Sequence, residues 1–401
     1  MSIVDGLGSL QARVTGIRSA AAPRVATFEI ADLLTVPQAA WADLAARAIE
    51  PNPFFHPVWA CAVARHAEGK SGARALLAWD GPARTRLMGL LPVISAWRAM
   101  HMPIPVFVAW QAIAPLTTPL LDRGLADAAA RGLIAAAAQA GAMALLLPSL
   151  AEDGPAASAL RGAIAEFKLT PVAFGRYQRA TLDAKQDAEE AIKSLGSKKV
   201  KELRRQRNRL ADDGEVTFKI AAQGEDAAKA LEAFLSLEAA GWKGASGTAL
   251  AKQAGLAAFI RSAVPAMVAN GAAEVATVSV GGTTVAAGIV LRHCRRAFFF
   301  KIAYDESAAR NSPGVQLTHD ITRCLCADVG IDDADSIAIT NHPMIDHIWR
   351  SRLAVCDLLL PVQPGRAPHV LMAALIGAHR SLRNAAINIF HIIRSLKGKL
   401  R

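Results

Sequence analysis

The chain has 401 residues, 52% hydrophobic, 20% charged and 5% aromatic, with a formal net charge of +11. That length predicts two or three domains, and that apolar content can bury real cores, which excludes global disorder. Average Gly and Pro usage excludes collagen-like chains. Five Cys without a C-x-x-C pair or zinc spacing exclude a disulfide scaffold and a structural metal, and fit a reducing cytoplasm.

The start, MSIVDGLGSLQARVTG, lacks a basic stretch followed by an apolar one, so no secretory signal is expected. TFEI (27–30) reads as a strand, residues 37–49 as a helix, and PNPFFHPVWACAVARH (51–66) as a loop running into a helix. Three strands follow: 73–80, 86–94 and 106–113, the first two joined by a turn at Asp80-Gly81-Pro82. The uncharged stretch 133–151 reads as the end of an Ala-rich helix (123–140), a Gly141 stop and a buried strand (142–150), with a membrane span as the alternative. A helix (155–167) and a strand (171–183) close the first half.

A charged helix lies in 193–214, and the second half then repeats the order. It has a strand (215–223), helices near 225–240 and 251–270, and a meander of strands at 273–280, 284–293 and 297–305. The loop ESAARNSPG (306–314) opens a helix (315–330). A strand (335–340), a short helix (342–351) and a closing strand (354–362) complete it. The shared order predicts a duplicated α/β domain with a mostly antiparallel sheet.

This order resembles that of the GNAT acyltransferases. The whole chain resembles the tandem-GNAT branch called CelD-like, associated with cellulose and exopolysaccharide loci and related to the FemABX peptidyltransferases. The likeness rests on PFFHPVWACAVARH (53–66), KELRRQRNRLADDG (201–214), LEAAGWKGASGTAL (237–250), FFFKIAYDESAARNSPG (298–314) and NHPMIDHIWRS (341–351). The full GNAT phosphate loop is absent; only Ser312-Pro313-Gly314 stands there. The resemblance implies an α/β (α+β) fold of two tandem GNAT-like domains with mostly antiparallel mixed sheets. The expected division is a flexible N-terminus (1–24), a non-catalytic domain shaping an acceptor groove (25–183), a catalytic domain (184–365) and a basic amphipathic helix (366–401).

Within that frame, Arg310, Asn311, Ser312 and Gly314 are the expected donor site, because a helix N-terminus offers free N–H groups to a pyrophosphate. A plain Ser-Pro helix entry is the bland alternative. The first half carries Pro115-Leu116-Thr117-Thr118-Pro119 at the matching place, with no glycine. Tyr304 is the candidate acid for the leaving thiolate, and Asp305 or Glu238 the candidate base for the acceptor amine. A core Tyr and a solvated Asp remain open. Trp242 and Lys243 sit between Gly241 and Gly244 in an expected substrate loop; Lys301 and His342 complete the expected substrate contacts. His342 and Asp346 are read as a surface pair on one helix face. No metal site is expected.

The reaction implied is direct acyl transfer to an amine or hydroxyl of a small-molecule or saccharide acceptor. Acyl-CoA is the cosubstrate and no cofactor is permanently bound. The alternatives are a FemABX-like aminoacyl-tRNA-dependent transferase and a non-catalytic accessory protein of a membrane polysaccharide synthase. Lys193, Lys198, Lys199, Lys201, Arg204, Arg205, Arg207 and Arg209 read first as a solvated helix face, and otherwise suit phosphates of CoA, tRNA or an anionic glycan. They lack interleaved aromatics, so nucleic acid is not the expected partner. Residues 366–401 carry seven Lys and Arg and no acid. There Leu375, Ala378, Leu382, Ala385, Ile389, Ile392 and Leu396 form a 3.5-residue stripe. That pattern suits an anionic membrane surface, docking on the body of the protein or self-association, on a protein expected in the cytoplasm or at the inner membrane face.

Overall fold

The computed structural model describes residues 27–111, 113, 115–193, 196–363, 369–379 and 381. The expected N-terminal segment 1–24 and the stripe beyond Ala378 lie outside the described residues. The strands are β1 (Thr27–Asp32), β2 (Arg74–Trp79), β3 (Leu87–Ser95), β4 (Val106–Ala109), β5 (Leu120–Leu121), β6 (Ala144–Ala151), β7 (Val172–Asp183), β8 (Val216–Ala221), β9 (Ala273–Val280), β10 (Thr283–His293), β11 (Arg296–Tyr304), β12 (Asp333–Asp335) and β13 (Ser351–Pro361). The helices are α1 (Gln38–Ala46), α2 (Pro57–His66), α3 (Ala96–Met100), α4 (Ala126–Gln139), α5 (Pro155–Ala165), α6 (Ala188–Lys193), α7 (Ser197–Asp212), α8 (Gly224–Ala240), α9 (Trp242–Ala245), α10 (Ala254–Ala269), α11 (Pro313–Ala327) and α12 (Ile345–Ile348).

The strands form one mixed, mostly antiparallel sheet in the order β1-β2-β3-β4-β6-β13-β7-β12-β11-β10-β9-β8, with β5 on β3. Two self-contained sheets were expected. Instead the last strand of each half is exchanged: β13 pairs antiparallel with β6 of the first half, and β7 pairs antiparallel with β12 of the second. The exchanged strands also pair with each other from Ser351↔Thr181 to Leu359↔Val172. Hydrophobic alternation fixes which face a strand presents, but it does not name the neighbour. The sheet therefore runs without a break across the 183/184 division.

Helices cover both faces. On β6, Leu145 and Leu147 join the large core under α4 and α5, while Ala144 and Leu146 face a smaller cluster under α3 and residues 372–376. The halves also meet through α2 and α10. Trp59 lies 4.9 Å from both Phe259 and Phe300, edge-on, and Phe54 lies 6.2 Å from Phe298. Aromatic contacts of this kind contribute beyond their buried area. Gly255 permits the approach: a Cβ there would stand 2.4 Å from the His66 carbonyl oxygen.

Stretch 133–151 is the helix, stop and strand expected, not a span, and no helix among the described residues is long and apolar enough to cross a membrane. Two local expectations fail. The strand expected at 335–340 ends at Asp335, and the helix expected over 342–351 is the single turn α12. Both lie where the chain leaves the sheet.

Candidate functional site

β11 and β12 are parallel neighbours over only three residue pairs, from Arg296↔Asp333 to Phe298↔Asp335. Beyond that point they diverge. β11 continues to Tyr304, whereas the chain after Asp335 turns away. Asp335 Oδ1 accepts the Ile337 N–H at 2.8 Å. Ile337 has φ +54°, a left-handed conformation that costs energy for a β-branched residue. The gap between the strands is a cavity of about 220 Å³, lined by Lys243, Phe299 to Ile302, Ser336 to Ala338, His342, Met344 and Ile345.

Three of the four expected substrate contacts, Lys243, Lys301 and His342, meet at this gap. Trp242, Lys243, Glu238 and Tyr304 line a smaller neighbouring recess that shares Ile302 with it. Glu238 is buried, and its two oxygens are engaged. Oε1 lies 3.1 Å from Lys243 Nζ and 3.7 Å from Lys301 Nζ, and Oε2 accepts the Leu250 N–H at 2.7 Å. One carboxylate therefore serves two ammonium groups. Burial, with Lys243 nearby, lowers the Lys301 pKa below the usual lysine value, and Glu238 opposes that shift.

The other expected residues play local roles. Asp305 caps the 3-10 turn Glu306–Asn311 by accepting from Ser307 N–H and Oγ–H, at 2.9 and 2.8 Å. His342 precedes α12; its Nδ1 faces the N–H groups of Met344 and Ile345 at 3.4 and 3.5 Å, and burial lowers its pKa. The reading of His342 and Asp346 as a pair on one helix face is therefore corrected. Trp242 is exposed, with Lys243 Nζ 5.9 Å from its ring centre.

The expected donor loop is closed. Ser312 takes φ +51° and precedes Pro313, which has no N–H. The N–H groups of Val315 and Gln316 both donate to the Ser312 carbonyl, at 3.0 and 3.1 Å. That leaves Gly314 to meet an anion in this turn, and Gly314 is buried, with the Tyr304 ring 3.2 Å from where its Cβ would stand. Asn311 is buried with its Oδ1 unpartnered, and Arg310 is exposed.

Several residues escaped sequence reading. Met344, His347 and Arg350 join Lys199 of the basic helix in lining a cleft of about 490 Å³ between α7, α11 and α12. That cleft shares Met344 with the β11/β12 gap, and Lys199 with a wider hollow of about 830 Å³ along Gly196 to Arg205. The three spaces adjoin at these shared residues, from the basic helix to the two lysines. Arg179, on exchanged strand β7, is buried beneath the gap. It bonds Asp335 at 3.1 Å, the Pro115 carbonyl at 2.9 Å and Tyr177 Oη at 2.6 Å. Its only sequence signal is an arginine inside an apolar alternation; its partner is 156 residues away.

A parallel strand pair that opens beside a strand-to-helix turn is the arrangement of acyl-transfer folds, and residues 197–340 match the family described as acetyltransferase (GNAT) domain. The chain contains a GNAT-type acetyltransferase domain. Among solved structures, the chain is similar to the C-terminal domain of a putative lysylphosphatidylglycerol synthetase from Agrobacterium fabrum. The TM-score is 0.50 at 14% identity, covering 80% of this chain and 91% of that one. It is also similar to FemX, with a TM-score of 0.53 at 8% identity, covering 81% and 96%. At such identities the likeness is one of fold. No curated protein matches the chain. The matched stretch 197–340 sits in a larger fold shared with FemX; it contains both lysines and the Ser312 turn, and the gap extends beyond it to His342, Met344 and Ile345.

Proposed function

We propose that the protein transfers an aminoacyl group from an aminoacyl-tRNA to an amine or hydroxyl acceptor. The run of basic clefts leading into the β11/β12 gap carries this reading. Lys198, Lys199, Lys201, Arg205 and Arg350 lie along it, opposed by Glu202 alone. Side chains of that kind suit the phosphates of a nucleic-acid 3′ end, whose terminal ester would enter the narrow gap. An acyl-CoA donor relies instead on backbone N–H groups at a helix start, and α11 has spent most of its own. The resemblance to FemABX transferases and the fold shared with FemX support the same choice.

In this reading the acceptor attacks the ester carbonyl, and the bond from the carbonyl carbon to the ribose oxygen breaks. Lys243 and Lys301, with Glu238 between them, leave about one net positive charge where the carbonyl oxygen becomes negative. The Tyr304 hydroxyl would give its proton to the leaving oxygen; the acceptor's own proton leaves to solvent, from which the tyrosinate regains one. Trp242 borders the entrance and offers a stacking face. A saccharide-linked acceptor follows from the CelD-like resemblance alone.

The GNAT family match favours a second reading, with acyl-CoA as donor and Arg310 to Gly314 as its site. Binding separates the two. Bulk tRNA should bind the full chain with a log–log salt slope of about −3, from about four phosphate contacts. Lys199→Ala with Arg350→Ala should flatten that slope by about one unit or more. Micromolar acetyl-CoA binding by calorimetry, with no tRNA binding at low salt, returns the assignment to acyl-CoA.

A further inference from the structure

The helix at 369–379 has two apolar sides. Met372, Ala373 and Ile376 are buried in the cluster that also holds Val106, Leu146 and Leu359. The opposite side is apolar as well: Val370, Leu371 and Leu375 are 72%, 54% and 48% exposed, and Ala374 and Ala378 beside them are exposed. A helix lying on a sheet normally turns polar residues to water. Trp97 on α3 belongs to the same covering layer and is 58% exposed, while its neighbours Ala96 and Met100 are buried in the shared cluster.

Charge identifies what covers this side. From residue 380 to the end the sequence adds six Lys and Arg and no acid. Each basic residue near an anionic bilayer strengthens binding roughly fivefold. Exposed leucines, with an exposed tryptophan in the same covering layer, suit the apolar half of an interfacial surface. A second copy of this chain would bring the same positive charge to the contact and repel it. We propose that Leu371, Leu375 and Trp97 form a docking surface for an anionic phospholipid bilayer. The surface is separate from the transfer site, and the proposal holds for either donor.

The test is flotation of the full chain at low salt with vesicles of phosphatidylglycerol and phosphatidylcholine, beside vesicles of phosphatidylcholine alone. The protein should float with the first and bind the second at least about tenfold less. Leu371→Ser with Leu375→Ser leaves charge and the buried side untouched. It should weaken binding at least about tenfold at unchanged melting temperature. Removing the whole tail would be a poorer test, because it strips Met372, Ala373 and Ile376 from the core. Failure to float with anionic vesicles overturns the proposal, as does a double variant that binds like the wild type. A concentration-dependent dimer that the double variant abolishes would assign the face to a second copy and overturn it too.

Discussion

Glu238→Gln tests the charge arrangement at the gap directly. The carboxylate holds Lys301 at 3.7 Å and Lys243 at 3.1 Å. A unit pair at such separations is worth about 4 kcal/mol at an effective dielectric of about 20. The Lys301 side chain is 27% exposed, so solvent removes about half of that, leaving about 2 kcal/mol. Glutamine keeps the shape and can still accept the Leu250 N–H. What it loses is the only group that opposes the downward shift of Lys301. The free-amine fraction of Lys301 at neutral pH should then rise about ten- to thirtyfold. Competitive labelling with acetic anhydride, read peptide by peptide in a mass spectrometer, measures that fraction against exposed lysines such as Lys219. If Lys301 in the variant reacts no faster than in the wild type, the shared-carboxylate account is wrong.

Three further outcomes follow from the packing. His293 is buried between the halves, accepting the Asn52 N–H at Nδ1 (2.7 Å) and facing the Ala45 carbonyl at Nε2 (2.8 Å), and burial lowers its pKa from 6.5 to about 4. The folded ring resists protonation that the unfolded chain accepts, so this contribution is complete above about pH 6.5. It is lost as pH falls toward 4, by about 3 kcal/mol; urea midpoints should drop over that range, less steeply in His293→Asn. Arg179→Met should cost about 3–5 kcal/mol by leaving Asp335 buried and unpaired. Arg179→Met with Asp335→Asn should recover part of that in chemical denaturation, but not transfer activity, since Ile337 and the gap wall lose their anchor. Gly255→Ala forces α10 away from α2 and should cost about 1–3 kcal/mol, read as a lower denaturation midpoint.

Local signals carried most elements, and distance decided what they missed. The Gly281-Gly282 turn and alternation in 273–305 made the meander legible, and Gly141 marked the stop after α4. Trp242, Lys243 and Lys301 were legible as candidates because charge and aromatic residues stood out beside glycines and a strand end. The closed donor loop was not. Sequence shows Ser312-Pro313-Gly314 opening a helix, but not that Ser312 takes a left-handed conformation and its carbonyl also takes up the Val315 N–H. The early end of β12 was hidden for the same reason: the Asx turn at Asp335 reads like any other Asp-Ser pair. Glu238 was legible as a candidate base, but not its burial, nor its two lysine partners, which come from a loop and a strand that only the fold brings together.

The exchange of β7 and β13 links these observations. Were each half to keep its own last strand, β13 would border β12, and the segment beneath the gap would come from the second half alone. In the exchanged arrangement that place belongs to β7, which brings Arg179 under Asp335. Through Arg179, the wall at Ile337 is tied to the Pro115 carbonyl, in the stretch that replaces a phosphate loop in the first half. The first half thus lacks a glycine loop of its own yet supplies the support for the second half's opening. A buried ion pair adds little net stability and is costly to break on one side. Its position here makes geometric sense instead: it fixes the Asp335 carboxylate, whose other oxygen accepts the Ile337 N–H at the gap wall. The gap in the second half thus rests on a side chain of the first, which gives the chain a physical reason to retain the first half.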